Sequence, residues 1–178
     1  MGYVEETGIA QYFRDARIAP IYAGTNGIQA LDLLLRKIPL DGGKAISKLF
    51  SEMESTVSEV EKLENFDHLS KTLKFHIKEL KNVTESITSL LIDGDLADAS
   101  GSATPFLKMF GQVLGGHYMG KALVKAHKKF TESNDEFYKD KITLSKFYIE
   151  QLLPLASGYK DAVKSGSKDL FKIKSDSF

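Results

Sequence analysis

The sequence predicts an all-α protein in which a short helical unit precedes an up-down bundle of about four helices. Apolar residues recur at three- and four-residue steps over long stretches, which is the period of a helix with one buried face. Only 4 prolines interrupt the 178 residues, and runs of β-branched residues are few. A hydrophobic fraction of 42% and a charged fraction of 27% are typical of folded globular proteins and exclude wholesale disorder.

The first predicted helix spans residues 4–17 and places Ile9 and Phe13 on one face. We expect this helix to stop before Pro20, because proline pushes the residue that precedes it out of the α region. An extended connection over residues 19–24 should then lead to the next helix.

A second helix begins near Thr25 or Asn26, since both side chains can accept hydrogen bonds from the N–H groups of a first turn. It should end ahead of Pro39, where a proline followed by two glycines is typical of a hinge. We therefore place a boundary after residue 40. It divides the chain into a unit of residues 1–40, a helical bundle of residues 41–166 and a loose tail of residues 167–178.

Four apolar stripes define the helices of the bundle, with breaks where polar residues or glycines interrupt the period. The predicted helices span residues 46–60, 69–90, 106–130 and 135–163. Pro154 should bend the last of them. Glycines in the third helix lower its helix propensity, so we expect each of them to allow close approach to another backbone, as in tight helix–helix packing. These glycines are Gly111, Gly115, Gly116 and Gly120.

The composition of the chain excludes several classes of protein. Lys and Arg together number 24 and balance 24 Asp and Glu, so charge alone does not favour nucleic acid as a partner. The absence of cysteine excludes disulfides, thiolate zinc sites, iron–sulfur clusters and cysteine nucleophiles. No apolar stretch approaches the ~20 residues of a spanning helix, and Glu5 and Glu6 stand where a signal peptide would be basic. We expect no membrane span, no export and a cytoplasmic location.

The familiar catalytic and metal-binding motifs are missing from the sequence. A single reversed pair, His76 and Glu79, approaches the Glu-x-x-His spacing of a carboxylate-bridged metal site, so we expect no metal and solvated or capped histidines. No Gly-x-Ser-x-Gly elbow marks a nucleophile, and Gly24 and Gly27 do not have the spacing of a phosphate-binding loop. The lysines near the end of the third bundle helix complement its dipole and should form a solvated face.

Residues 21–29 form the one segment with a distinctive local pattern. An extended stretch and a glycine precede a capped helix start there. A helix start presents unpaired N–H groups and the positive end of the helix dipole, so the segment could hold an anion or a carbonyl oxygen. From the residues alone, an ordinary helix–loop–helix corner is the commoner explanation, and both interpretations stay open.

This segment belongs to a longer pattern that runs through the N-terminal unit. The pattern consists of GYVEE at residues 2–6, YFRDARI at 12–18, IY at 21–22 and GTNGIQ at 24–29. It closely resembles the C-terminal end of the acyl-CoA dehydrogenase catalytic domain, where the last helices flank a loop that reaches the flavin and the thioester.

The bundle resembles the extra C-terminal helical domain that a bacterial branch of that family carries. The matching runs are ATPFLKMFG at residues 103–111, the glycine pair 115–116, FY at 147–148 and LLP at 152–154. The resemblance covers nearly the whole chain, and its first part is the more specific.

The resemblance implies the oxidation of an acyl-CoA thioester to its enoyl-CoA, with a carboxylate as the base and FAD as the hydride acceptor. In this family the backbone N–H at the position of Ala23, together with a flavin ribityl hydroxyl, stabilises the developing charge on the thioester oxygen. Gly24 would let the substrate pass close to the chain, and Thr25, Asn26 and Gly27 would contact the flavin. The partners implied for the whole protein are acyl-CoA thioesters and an electron-transferring flavoprotein.

Position 23 departs from the family pattern. Many members carry the catalytic Glu there, whereas this chain has Ala23, whose methyl group accepts no proton. No catalytic residue is therefore assigned within the chain. Three explanations stay open: the base lies on an earlier helix, as in some branches; the protein is a relative without dehydrogenase activity; or the residue was changed deliberately.

The chain also begins at the last glycine of the family's Gly-Gly-x-Gly-Tyr segment, so we expect a C-terminal piece without the domains that enclose most of the flavin. Such a piece should neither retain FAD nor catalyse the reaction alone. It should expose an apolar face and associate into a homo-oligomer. The alternative function is a helical assembly or partner-binding module without catalysis. Ala23 favours the alternative, whereas the intact run of residues 24–27 favours the dehydrogenase.

Overall fold

A computed structural model describes residues 4–22, 25–170 and 172 of the chain. Over this part of the chain the structure is helical and contains no strand, which confirms the all-α prediction. The α-helices are α1 (Ala10–Tyr22), α2 (Asn26–Asp32), α3 (Lys44–Glu61), α4 (Asp67–Ile92), α5 (Leu96–Gly101), α6 (Ala103–Ser133), α7 (Glu136–Phe147) and α8 (Ser157–Ser165). No helix in the described ranges is both long enough and apolar enough to cross a membrane.

The bundle is built from α3, α4, α6 and the rod formed by α7 and α8. The long helices that follow one another along the chain run in opposite directions, as short connections demand. Hydrogen bonds from side chains to backbone carbonyl oxygens fix the register of α6 against the rod. The Tyr148 hydroxyl donates to the carbonyl oxygen of Gln112 at 3.1 Å, and the Gln112 amide donates to the carbonyl oxygen of Leu152 at 2.6 Å. The predicted up-down arrangement of about four long helical elements is thus the observed one.

Apolar side chains from every long element meet in one core. Each such side chain contributes about 1.5–3 kcal/mol when it is fully buried, so this layer supplies most of the favourable free energy of folding. The largest side chains in the core include Leu34, Met53, Leu69, Leu73, Leu80, Phe106, Met109, Leu123, Ile149 and Leu153.

Three of the four glycines of α6 make room for side chains of the neighbouring helices, and not for a backbone as predicted. A Cβ on Gly115 would lie 2.1 Å from the Tyr148 hydroxyl, and one on Gly116 would lie 3.0 Å from Leu153. A Cβ on Gly120 would lie 2.9 Å from Thr56, at the point where α3 and α4 meet α6. Gly111 has nothing within 4 Å of the same position, so the prediction was wrong there.

The last long helix is irregular around Pro154, where the sequence predicted a bend. After α7 the backbone forms a π-helical turn over Tyr148–Leu152 and a tighter 3-10 turn over Leu153–Ala156 before α8 begins. Proline has no N–H to donate, so the regular hydrogen-bond ladder cannot pass through it and the chain changes pitch around it.

The N-terminal unit differs from the prediction at both ends of its first helix. The helix begins at Ala10 instead of residue 4, because a short turn over Glu5–Thr7 ends at Gly8 with a positive φ of 70°. It also continues to Tyr22 through Pro20, where an extended connection was expected. Pro20 falls in the last turn, so its missing N–H removes one hydrogen bond just before the helix ends.

Three side chains from the first 40 residues belong to the common core. Ala30 and Leu34 are fully buried and Ile38 nearly so, all in the same cluster as residues of α3, α4 and α6. The boundary after residue 40 stays a prediction about independent folding. What the packing shows is that α2, unlike α1, is anchored on the bundle.

Candidate functional site

The corner at the start of α2 is described for Thr25, Asn26 and Gly27, while Ala23 and Gly24 lie outside the described residues. Thr25 takes the N-cap position, and its hydroxyl accepts a hydrogen bond from the Gln29 side chain at 3.0 Å. Asn26 and Gly27 are exposed, and a Cβ on Gly27 would meet none of the described residues within 4 Å. The corner therefore presents a hydroxyl, an amide and a bare stretch of backbone outward from the bundle.

Helix α2 continues into a π-helical turn over Leu33–Lys37, and contacts on two sides hold this combined helix in place. Ala30, Leu34 and Ile38 bury one face against the core. On the outer face, Arg36 donates to both carboxylate oxygens of Asp32, at 2.5 and 3.0 Å. These bonds from Arg36 lower the pKa of Asp32 below its ordinary value and keep the carboxylate charged. Consequently the corner sits on a fixed helix although it is itself exposed.

Helix α1, on the other side of the corner, exposes large apolar side chains. Tyr12 is 76% exposed, Phe13 is 63% exposed and Ile18 is 52% exposed. An ion pair between Arg14 and Glu5 ties the helix to the turn before it. Exposed aromatic and aliphatic side chains of this kind are typical of surfaces that bind another protein surface.

Two of the four histidines contradict the expectation that these residues are solvated or capped. His76 and His117 are 4% and 1% exposed, and the Nδ1 atom of each has no hydrogen-bond partner. Burial lowers the pKa of both imidazoles, so they are neutral inside the bundle. Their positions within the apolar stripes of α4 and α6 were a usable signal that the sequence reasoning missed.

The remaining histidines lie near the surface, and no metal cluster emerges around any of them. His68 Nε2 lies 2.7 Å from Glu150 Oε1, and His127 packs edge-on against Phe66 with ring centroids 5.6 Å apart. Glu79, the carboxylate of the reversed pair, forms an ion pair with Lys160. No group of three or more potential metal ligands occurs among the residues that the structure describes.

Two cavities in the bundle had no signal in the sequence. The first, of about 690 Å³, is a groove between α3 and α4. It is lined by Ile46, Phe50 and Ile92 and by hydroxyls that already donate to their own helices, as Thr84 does to Leu80. An ion pair between Lys81 and Glu54, at 3.3 Å, lies beside it.

The second cavity, of about 520 Å³, lies between the α3–α4 connection and the hairpin of α6 and α7. We call it the basic cavity. Its lining combines apolar side chains with lysines and the His127 ring. The lining residues are Lys62, Leu63, Glu64, Asn65, Phe66, His127, Phe130, Lys139, Ile142, Thr143 and Lys146.

Comparison with known proteins identifies the family to which this architecture belongs. Residues 49–174 match the family described as "Acetyl-CoA dehydrogenase C-terminal like". The chain is 32% identical over 157 residues to 3-methylmercaptopropionyl-CoA dehydrogenase of Ruegeria pomeroyi, covering 86% of this chain and 26% of that protein. It is 23% identical over 186 aligned residues to the broad-specificity linear acyl-CoA dehydrogenase FadE5 of Mycobacterium tuberculosis, covering 99% of this chain and 30% of that protein. A butyryl-CoA dehydrogenase of Syntrophomonas wolfei is 23% identical over 188 aligned residues, which cover 99% of this chain and 30% of that protein. The chain thus spans between a quarter and a third of the length of these relatives.

Proposed function

Because the chain belongs to the acyl-CoA dehydrogenase family through its acetyl-CoA dehydrogenase C-terminal-like domain, we propose that it acts as the C-terminal portion of an FAD-dependent acyl-CoA dehydrogenase. The observation that carries the proposal is the exposed corner of Thr25, Asn26 and Gly27 on a helix anchored in the core. In this function the bundle is a scaffold, and the corner forms one wall of an active site completed by other domains.

The residues at the corner suit contact with a flavin. The Thr25 hydroxyl and the Asn26 amide offer donors and acceptors, and Gly27 leaves space for the approach of a flat ring system. When bound, FAD supplies the acceptor for the hydride that leaves the β-carbon of the acyl group. The chain would hold FAD through Thr25, Asn26 and Gly27 and would position the flavin against the thioester.

The residues before the corner would act on the substrate. The backbone N–H of Ala23 would donate to the thioester oxygen and stabilise charge that develops there as the α-proton leaves. Gly24 would admit the acyl chain. Ala23 itself cannot accept the proton, so the base must come from another part of the protein.

The exposed apolar side chains of α1 support the same proposal. Tyr12, Phe13 and Ile18 would be covered by the domains that complete the active site, and their burial would add to the stability of the assembled enzyme. The substrates named for the relatives, such as butyryl-CoA and 3-methylmercaptopropionyl-CoA, indicate the class of thioester to test.

The experiment joins this chain to the upstream domains of the Ruegeria pomeroyi enzyme in place of the matching 26% of that enzyme. We expect the chimaera to purify with bound flavin and to oxidise acyl-CoA, while the 178-residue chain alone shows neither saturable FAD binding nor turnover. A folded chimaera without flavin, beside a flavin-loaded parent enzyme, would contradict the proposal.

A second function, a helical module for assembly or partner binding without catalysis, is favoured by one observation. Ala23 stands where many family members carry the catalytic Glu. A chimaera that binds flavin but does not turn over any acyl-CoA, and that regains no activity when Ala23→Glu is introduced, would support this second function.

A further inference from the structure

We propose that the basic cavity is a binding site for a phosphate monoester that carries a flat ring, with Lys62 and Lys146 contacting the phosphate and Phe66 contacting the ring. The site lies on the bundle and does not depend on the proposed function of the corner. Its ligand is identified by chemistry: a doubly charged anion attached to an aromatic group.

The charge at this cavity is unbalanced, whereas the chain as a whole carries a net charge of zero. Three lysines line the cavity and face a single carboxylate, Glu64. Lys139 is neutralised by Glu136 at 3.0 Å, outside the cavity. Lys62 and Lys146 have no carboxylate within ion-pair distance in the described part of the chain.

Of the two ammonium groups, that of Lys146 gives the stronger support for an anion site. It is partly buried, yet nothing described by the structure neutralises it. Partial burial removes water from a charged group and strengthens its attraction for an anion, because the effective dielectric constant is lower there. Lys62 approaches the same space from the end of α3, so two elements bring unpaired ammonium groups to one cavity.

The floor of the cavity suits a ring better than a bare ion. Phe66 and His127 pack edge to face, and Phe130 lines the same space with Leu63 and Ile142. Aromatic and aliphatic side chains of this kind bury the flat apolar part of a ligand while polar groups fix its orientation. The volume of about 520 Å³ is in the range of small-molecule sites.

The groove between α3 and α4 has the opposite character. Glu54 and Glu85 line it together with Lys81, which is already paired with Glu54. Its hydroxyls donate within their own helices, as Thr88 does to Thr84 at 2.8 Å. Among the residues that line this groove, Lys81 is the single cation and it is already paired, so an anion has no unpaired ammonium group to contact there.

The test uses the isotope-labelled chain, titrated at low ionic strength with inorganic phosphate and with AMP while backbone amide resonances are followed. We expect saturable shifts at residues 62–66, 127–130 and 139–146 with both probes, and tighter binding of AMP. Replacing both ammonium groups, in the variant Lys62→Gln/Lys146→Gln, should weaken both affinities at least about fivefold. The matched control Lys44→Gln/Lys48→Gln removes two exposed charges from the opposite end of α3 and should bind as the wild type does.

The ring contact is tested separately with Phe66→Leu. This variant should retain the affinity for phosphate and lose the advantage of AMP over phosphate. Equal weakening in the two lysine double variants, or shifts that do not saturate, would overturn the assignment of the cavity. Equal affinity of the wild-type chain for AMP and phosphate would overturn the role of Phe66.

Discussion

Helix α6 contains a matched pair of glycines that lets the packing of the bundle be measured. An alanine at Gly120 would place its Cβ 2.9 Å from Thr56 and 3.2 Å from Leu73, two side chains on different helices of the buried core. An alanine at Gly111 would meet nothing within 4 Å. The two substitutions change the same atoms on the same helix and differ only in what surrounds them.

The expected change in the free energy of unfolding follows from two opposing effects. Alanine is favoured over glycine in a helix by about 1 kcal/mol, and both variants gain that amount. At Gly120 the added methyl group must displace well-packed neighbours, which costs about 1–3 kcal/mol. We therefore expect Gly111→Ala to stabilise the protein and Gly120→Ala to be neutral or destabilising, with a difference of about 1–3 kcal/mol.

The assay is thermal and urea unfolding of the wild type and both variants. In a domain of this size, 1 kcal/mol corresponds to about 2–4 °C in Tm, so Gly111→Ala should raise Tm by that amount. Gly120→Ala should leave Tm unchanged or lower it. Equal increases in both variants would refute the close packing of α3 and α4 against α6.

Three other predictions concern the histidines, the end of α8 and helix α1. The free energy of unfolding should fall as the pH drops below about 6.5, because the lowered pKa values of His76 and His117 keep the folded rings neutral while the unfolded chain takes up protons. The slope should be at most about 1.4 kcal/mol per pH unit for each ring, and His117→Leu should reduce it in urea titrations at several pH values. Asp98→Ala should speed hydrogen exchange at the Ser167 amide by at least about tenfold, because Asp98 accepts from that N–H at 2.8 Å; exchange as slow as in the wild type would contradict this. Deleting residues 1–24 should leave the bundle folded and abolish concentration-dependent association in sedimentation experiments, because the exposed apolar face of α1 is removed; unchanged association would show that another surface is responsible.

The long helices could be predicted from the sequence because their apolar residues repeat without interruption. The stripe that includes Leu73, Leu80 and Val83 in α4 is buried as its period requires. Pro154 marked the bend in the last helix for an equally local reason, its missing N–H. In these segments the local preference and the tertiary packing agree.

The structure differs from the sequence predictions where tertiary packing or neighbouring residues decide the local conformation. Pro20 did not end α1 at the expected place, because a proline in a final turn removes a single hydrogen bond. His76 and His117 were expected at the surface, but each lies within a buried stripe and is held there by its apolar neighbours. The basic cavity joins residues from three separate parts of the chain, so no local pattern could indicate it.

For the candidate site, the sequence indicated the residues and the structure describes part of their setting. Thr25, Asn26 and Gly27 were singled out from the sequence, and they begin a helix whose other face is buried by Ala30 and Leu34. The roles of Ala23 and Gly24 stay predictions, because both residues lie outside the described ranges.

The most direct test of the central claim measures the affinity for FAD of the chimaera with the Ruegeria pomeroyi upstream domains, with a bulky side chain placed at the corner. We expect Gly27→Leu to weaken flavin binding at least about tenfold, because the open space beside Gly27 is where the flavin would lie. Gly111→Leu, at an equally open position far along the bundle, should bind flavin as the unmodified chimaera does. Equal flavin affinity in all three proteins would contradict the claim that this corner forms a wall of the flavin site.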